Sequence, residues 1–267
     1  MSEALLSIRD LVVQFPSRKG TLKAVDEISF ELRPGEILGV VGESGAGKSM
    51  TGAAVIGLIE PPGHIAGGSV HLTGERIDSL SPDAMRDIRG KRVGMIFQDP
   101  LTSLNPLYTV GQQLVETIEH HLGVSPREAR EKAINLLERV GIPNPTVRVD
   151  QYPHQFSGGM RQRVVIALAL CSDPEIIIAD EPTTALDVSI QAQILELIRE
   201  LAKERQVGII LITHDMGVIA EITERVAVMY NGKIVETGST EKVLGKPDHP
   251  YTKSLIAAVP RPDRTTY

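Results

Sequence analysis

The sequence predicts an α/β protein: a largely parallel sheet flanked by helices, preceded by an antiparallel β segment and interrupted by a helical insertion. Three observations carry this reading. Short wholly apolar runs such as Ile37–Val41 and Gly208–Thr213 alternate with helix-length segments, the pattern of strands buried on both faces. Residues 5–15 and 22–32 are two stretches rich in β-branched side chains near the start of the chain. Between residues 99 and 156 strand signals give way to helix signals punctuated by prolines.

Taken in order, residues 16–20 (Pro-Ser-Arg-Lys-Gly) read as the loop of an opening hairpin. The Pro34-Gly35 turn leads into the strand Ile37–Val41, then a glycine-rich loop, then a helix over about 48–58. A further strand is expected over 93–97. In the proline-punctuated stretch, Ser125-Pro126-Arg127-Glu128 reads as a capping box with Pro at the first helical position, and the helix it opens runs to Val140. Gly141, Pro143 and Pro145 end it. The strand–helix alternation resumes with a helix over 159–171, a strand over 175–180, a helix over 188–204 and the strand Gly208–Thr213. The expected organisation is one discontinuous α/β core, 1–98 with 157–245, a helical subdomain at 99–156 and a C-terminal segment at 246–267. In a sheet of this kind, ligands sit at the carboxyl ends of the strands.

Composition narrows the function. A chain of 267 residues with 42% hydrophobic content can bury a substantial core. A net charge of −6 and the lack of any basic run argue against a nucleic-acid partner bound through a basic face. The single cysteine, Cys171, excludes an internal disulfide framework and, set in an apolar run, reads as a buried structural thiol. No apolar run approaches the ~18–20 residues needed to cross a bilayer, and the first residues lack the features of a signal peptide. The expectation is a cytoplasmic chain that reaches a membrane only by docking to a membrane partner.

Gly42-Glu43-Ser44-Gly45-Ala46-Gly47-Lys48-Ser49 matches the phosphate-cradling pattern G-x-x-x-x-G-K-[ST], with a buried strand before it and a helix after it. The glycines let successive backbone N–H groups turn inward, and the following helix aims its positive end at the phosphates. Lys48 supplies a positive charge for the β- and γ-phosphates, and the Ser49 hydroxyl is a ligand for Mg²⁺; the cradle is taken to extend to Met50. A glycine-rich turn that merely joins strand to helix is the plainer alternative. The expected ligands are ATP and Mg²⁺.

Two carboxylates, Asp180 and Glu181, end the apolar run 176–179. Asp180 suits the surroundings of Mg²⁺, and Glu181, whose side chain is expected to point elsewhere because strand side chains alternate, suits a general base for water attacking the γ-phosphate. Alone, such a pair would read as a solvated turn; with the cradle in the same chain, the catalytic reading is favoured. His214 ends the strand Gly208–Thr213, where γ-phosphate contacts converge, although a single histidine is more often structural. Gln98 ends the strand at 93–97 in the same manner and is assigned to Mg²⁺ or the water.

At Phe156-Ser157-Gly158-Gly159-Met160-Arg161-Gln162 the pattern becomes that of a family. The order of cradle, Gln98, Ser-Gly-Gly-x-x-Gln, Ile178-Ala179-Asp180-Glu181, Ala185-Leu186-Asp187 and His214 resembles an ABC transporter ATPase over nearly the whole chain. The resemblance implies a P-loop NTPase (RecA-like) core and a head-to-tail pair of ATPase domains, in which Ser157, Gly158 and Gly159 serve the ATP held by the partner's cradle. It also implies that Asp187 crosses that interface and that Phe15 stacks on adenine. Ser157 is equally a helix N-cap, and Phe15 is equally a core residue.

Three segments resemble the importers of oligopeptides, dipeptides and nickel: 97–106, 152–163, and His249-Pro250-Tyr251-Thr252 through 260. The Phe-Ser-Gly-Gly-Met signature is similar to one subunit of a heterodimeric pair. That subunit type often continues into a tail with a cysteine cluster; no such cysteines are present, so no iron–sulfur centre is assigned. The implied partners are a second ATPase subunit, two membrane permease subunits and, indirectly, an extracytoplasmic solute-binding protein, with the chain on the cytoplasmic face of the membrane. Residues 99–105 are expected to help receive a permease helix, with Leu101 and Leu104 as reporters. Importers of nickel, glutathione or another small solute remain as alternatives, as does a soluble ABC ATPase without a permease. A P-loop kinase or GTPase would lack Ser157-Gly158-Gly159 and His214.

Overall fold

A computed structural model describes residues 4–18, 20–184 and 186–258. Lys19 in the expected hairpin loop, Ala185 of the Ala-Leu-Asp segment and the end of the C-terminal segment from Val259 lie outside the described residues. The two opening strands, β1 (Leu6–Ser17) and β2 (Gly20–Leu32), pair antiparallel, and the pairing runs up to Ser17↔Gly20, so the strands extend through most of the expected loop. β1 also pairs with β4 (His64–Leu72), which pairs with the short β5 (Glu75–Arg76). β4 was not foreseen: it carries Gly67 and Gly68, and only Val70 and Leu72 of its nine residues are buried.

The second sheet has six strands. β3 (Ile37–Val41) lies between β8 (Gly208–Thr213) and β9 (Arg225–Tyr230), with β7 (Ile176–Asp180) beyond β8 and β6 (Val93–Ile96) beyond β7; these five are parallel. β10 (Lys233–Ser239) is an antiparallel edge on β9. Because strand side chains alternate, each apolar run divides between two cores. Ile37, Val41, Ile177, Ala179, Ile209 and Leu211 face one; Leu38, Val40, Ile176, Ile178, Ile210 and Ile212 face the other.

The first core is closed by helices: α4 (Val110–Leu122) and α5 (Pro126–Arg139) from the proline-punctuated stretch, then α7 (Gly158–Leu170), α8 (Val188–Arg205) and α9 (Met216–Ile222). The second is closed by β1, β2, β4, α1 (Lys48–Val55) and α2 (Pro82–Ile88). Burying one such aliphatic side chain is worth roughly 1.5–3 kcal/mol, so strands apolar on both faces are held from both sides. α3 (Pro100–Ser103) and α6 (Pro145–Arg148) are single turns, and α10 (Thr240–Gly245) and α11 (Pro250–Ala257) end the described fold. Ser125 does cap α5, accepting from Glu128 N at 3.3 Å, but the reciprocal capping box is formed instead at Thr109 and Gln112 before α4. Cys171 is buried, and burial pushes its thiol up to about 12, which fits the expected inert thiol.

Candidate active site

The loop between β3 and α1 is set by its glycines. A side chain at Gly42 would lie 2.2 Å from the carbonyl oxygen of Met229, and one at Gly47 would lie 2.4 Å from that of Ala24, with φ of 154° and 100°. Both neighbours are backbone and cannot give, so the loop runs closely against the sheet only because these positions lack a Cβ. Lys48 is buried at 6% exposure and donates to the carbonyls of Gly42 at 2.7 Å and Glu43 at 2.8 Å. Burial lowers its ammonium below the usual lysine range, opposed by the charges of Glu181 and Asp180.

Ser49 donates to Asp180 Oδ1 at 3.1 Å, which ties the first turn of α1 to the end of β7. Asp180 is 8% exposed; burial pushes its carboxyl up, aided by the charge of Glu181, against the hydrogen bond from Ser49 and the charge of Lys48. A serine hydroxyl and a carboxylate within hydrogen-bond distance at the mouth of the cradle are hard oxygen donors, and they fit Mg²⁺ held jointly with phosphates.

Glu181 departs from the expectation of strand alternation. β7 ends at Asp180, and Glu181 has φ 48°, the left-handed region that a residue with a Cβ adopts at some cost. The chain turns there, with Glu181 N still bonded to Ile212 O at 2.8 Å. The turn gathers three donors on one carboxylate. Gln98 Nε2 and Thr184 Oγ1 each donate to Oε2 at 2.9 Å, and His214 Nδ1 lies 2.9 Å from Oε1. Burial works to raise this carboxyl, but the hydrogen bonds from His214 and Thr184 and the charges of His214 and Lys48 outweigh it, and the net direction is down. Glu181 is therefore an ionised carboxylate at neutral pH, held in place by its three partners.

The structure thus brings together Lys48, Ser49, Asp180, Glu181, Gln98 and His214. Gln98 is bonded through its amide nitrogen to Glu181, which leaves its oxygen as the atom able to meet a cation or water. Thr184 escaped the sequence reading. Its signal was the spacing of three residues after Glu181, which matters only once the chain turns back on itself. Ser157 and Asp187 sit apart from this cluster as N-caps of α7 and α8, accepting from Met160 N at 3.3 Å and Ile190 N at 2.9 Å. Gly158 has open space around it, and a Cβ on Gly159 would meet Ile190 Cγ2 at 2.6 Å, so the two helix starts are neighbours. Phe15 is half-buried against the second core, its ring edge over Gly63.

Comparison with known proteins accords with this geometry. Residues 25–184, more than half of the chain, match the model of the ABC transporter family, and residues 235–267 match the C-terminal region of oligopeptide/dipeptide transporters. The oligopeptide transport ATP-binding protein OppD of Bacillus subtilis is 52% identical over 96% of this chain and 72% of its own length. The dipeptide transport ATP-binding protein DppD of Escherichia coli is 48% identical over 96% of this chain and 79% of its own length. Among solved structures, the ATP-binding cassette MJ0796, a dimer bound to ADP and Pi, superposes with a TM-score of 0.79 at 26% identity, covering 88% of this chain and 98% of that one. The chain belongs to the ABC transporter family, as one of its ATP-hydrolysing subunits.

Proposed function

We propose that this chain powers the import of di- or oligopeptides, using the cluster around Glu181 to hydrolyse ATP. The observation that carries the catalytic reading is the convergence of Gln98, Thr184 and His214 on Glu181, beside the cradle of Lys48 and Ser49. Residues 42–50 bind the phosphates, with Lys48 turned from loop carbonyls to the β- and γ-oxygens. Ser49 and Asp180, with the oxygen of Gln98, would hold Mg²⁺, which supplies neutralisation of phosphate charge. Glu181 takes a proton from the attacking water while His214, oriented through Nδ1, presents its other nitrogen to the γ-phosphate. Phe15 supplies a face for adenine.

We further propose a composite site, in which Ser157, Gly158, Gly159 and Asp187 complete the cradle of a second ATPase subunit. Residues 99–156 form the arm that meets the permease, and 1–98 with 157–245 form the catalytic core. No described helix is long and apolar enough to cross a membrane; in this reading the chain attaches to the cytoplasmic face by docking to two permease subunits. Exposed Phe97, Leu101, Leu107 and Tyr108 support that docking face, whereas Leu104 is buried and makes no reporter. Peptide as cargo is supported by the names of the relatives and by the C-terminal match.

The test is ATP turnover by the transporter reassembled in vesicles with its binding protein. Stimulation by peptide-loaded binding protein is expected; stimulation by nickel or glutathione alone would assign another cargo. Cysteine cross-links from Leu101→Cys to the permease are expected alongside.

A further inference from the structure

The cradle has a buttress that the catalytic cluster does not use. Glu43, the second residue of the loop, donates its backbone N–H to the hydroxyl of Tyr251, 3.0 Å away and 208 positions along the chain. Tyr251 is held there from three sides. Its ring lies 4.2 Å, centroid to centroid, from that of Tyr230 at the end of β9, tilted by 33°. Its backbone N–H is capped by His249 Nδ1 at 3.1 Å, with Pro250 at the first turn of α11. Ahead of that turn, the carboxylate of Glu236 in β10 accepts from Asp248 N at 2.8 Å and His249 N at 3.0 Å, fixing where the helix begins.

The same side of the molecule braces the loop twice more. Gly232, in the turn after Tyr230, donates to Ala46 O at 3.0 Å, and Gly42 lies against the carbonyl of Met229. A donor at Glu43, an acceptor at Ala46 and the backbone at Gly42 are thus all set from β9, β10 and α11. Burial raises the Tyr251 phenol above its usual range, so the oxygen meeting Glu43 N–H is that of a neutral hydroxyl.

We propose that Tyr251 is a positioning residue for nucleotide binding: by holding the Glu43 N–H, it keeps the opening turn of the phosphate cradle in its binding geometry before ATP arrives. His249-Pro250-Tyr251 thereby acquires a role in ATP affinity, with Pro250 and His249 seating the helix and Tyr251 making the contact. Released from the hydroxyl, the loop would have to be ordered at each binding event, and the loss falls on affinity. The proposal rests on the reading of residues 42–49 as the cradle.

The experiment is calorimetric titration of the purified full chain with ATP, below its melting transition. Tyr251→Phe keeps the ring stack and removes the hydroxyl, and is expected to raise Kd about three- to tenfold, the loss of one hydrogen bond. In the assembled transporter the change should fall on KM for ATP, with kcat within about twofold. A Kd within twofold of the parent would overturn the proposal. Glu236→Gln, which loosens the start of α11, is expected to shift Kd in the same direction, and it provides the reading if Tyr251→Phe does not fold. Lys48→Ala separates the two levels. If it leaves ATP binding intact the cradle reading fails, whereas if it abolishes binding and Tyr251→Phe changes nothing, only the role of Tyr251 fails.

Discussion

Around the carboxyl ends of β7 and β8, polar side chains far apart in sequence bond to one another; at the starts of α7 and α8, Ser157 and Asp187 bond only to their own helices. Ser49 bonds Asp180, and Gln98, Thr184 and His214 converge on Glu181, while Lys48 bonds the Gly42 and Glu43 carbonyls and feels both carboxylates through their charge. Ser157 and Asp187 satisfy Met160 N and Ile190 N and reach no further, and Gly158 opens onto free space. A connected cluster is preorganised, because its groups fix one another before substrate arrives. A helix start whose N–H groups face outward suits an anion, and in the proposed composite site that anion is a phosphate carried by another chain. In the composite site we propose, the contrast is that of a hydrolytic half and a closing half, which would meet only across two subunits.

The largest expected effect falls on the connected half. Lys48→Ala deletes the one buried cation of the cradle and should weaken ATP binding by about 10²-fold or more, read by titration. Glu181→Gln should leave affinity near the parent and slow turnover by about 10²–10⁴-fold, read as steady-state phosphate release from the assembled transporter. Near-parent turnover would remove Glu181 from its role. Thr184→Val removes one of the hydrogen bonds that lower the Glu181 carboxyl, so a smaller effect is expected: turnover down severalfold, with the acid limb of its pH profile moved up. The sign follows from the depressed carboxyl. Its ionised-state contribution to stability is complete above the ordinary value of 4.5 and is lost as pH falls through the lower folded value, so acid should cost the parent some stability there and cost Thr184→Val less. An unchanged acid limb would disconnect Thr184 from Glu181.

The same contrast explains what was legible in the sequence. β3, β7 and β8 are apolar on both faces, so they stand out as runs, and the motif residues at their ends follow by adjacency. β4 is interrupted by glycines and largely unburied on its outer positions, and it carries no such signal. Thr184 depends on the left-handed turn at Glu181, which alternation does not predict. The Tyr251–Glu43 contact spans 208 positions and is made by the hydroxyl of a helix residue with no motif around the cradle to announce it. Leu104, which lies beside exposed Leu101 in the sequence, turns inward to 3% exposure because α3 is a single turn that ends there.

We propose that the closing half of this chain serves a different ATPase subunit, not a second copy of itself. The observation behind it is Met160, which stands where the commoner signature of the resemblance has glutamine, while Ser157, Gly158 and Gly159 are intact. The direct measurement is size-exclusion chromatography of the Glu181→Gln chain at saturating ATP, where blocked hydrolysis traps any closed pair. The chain alone should elute as a monomer and shift to a dimer only when the second ATPase subunit is added. A stable, ATP-dependent homodimer from this chain alone would contradict the claim.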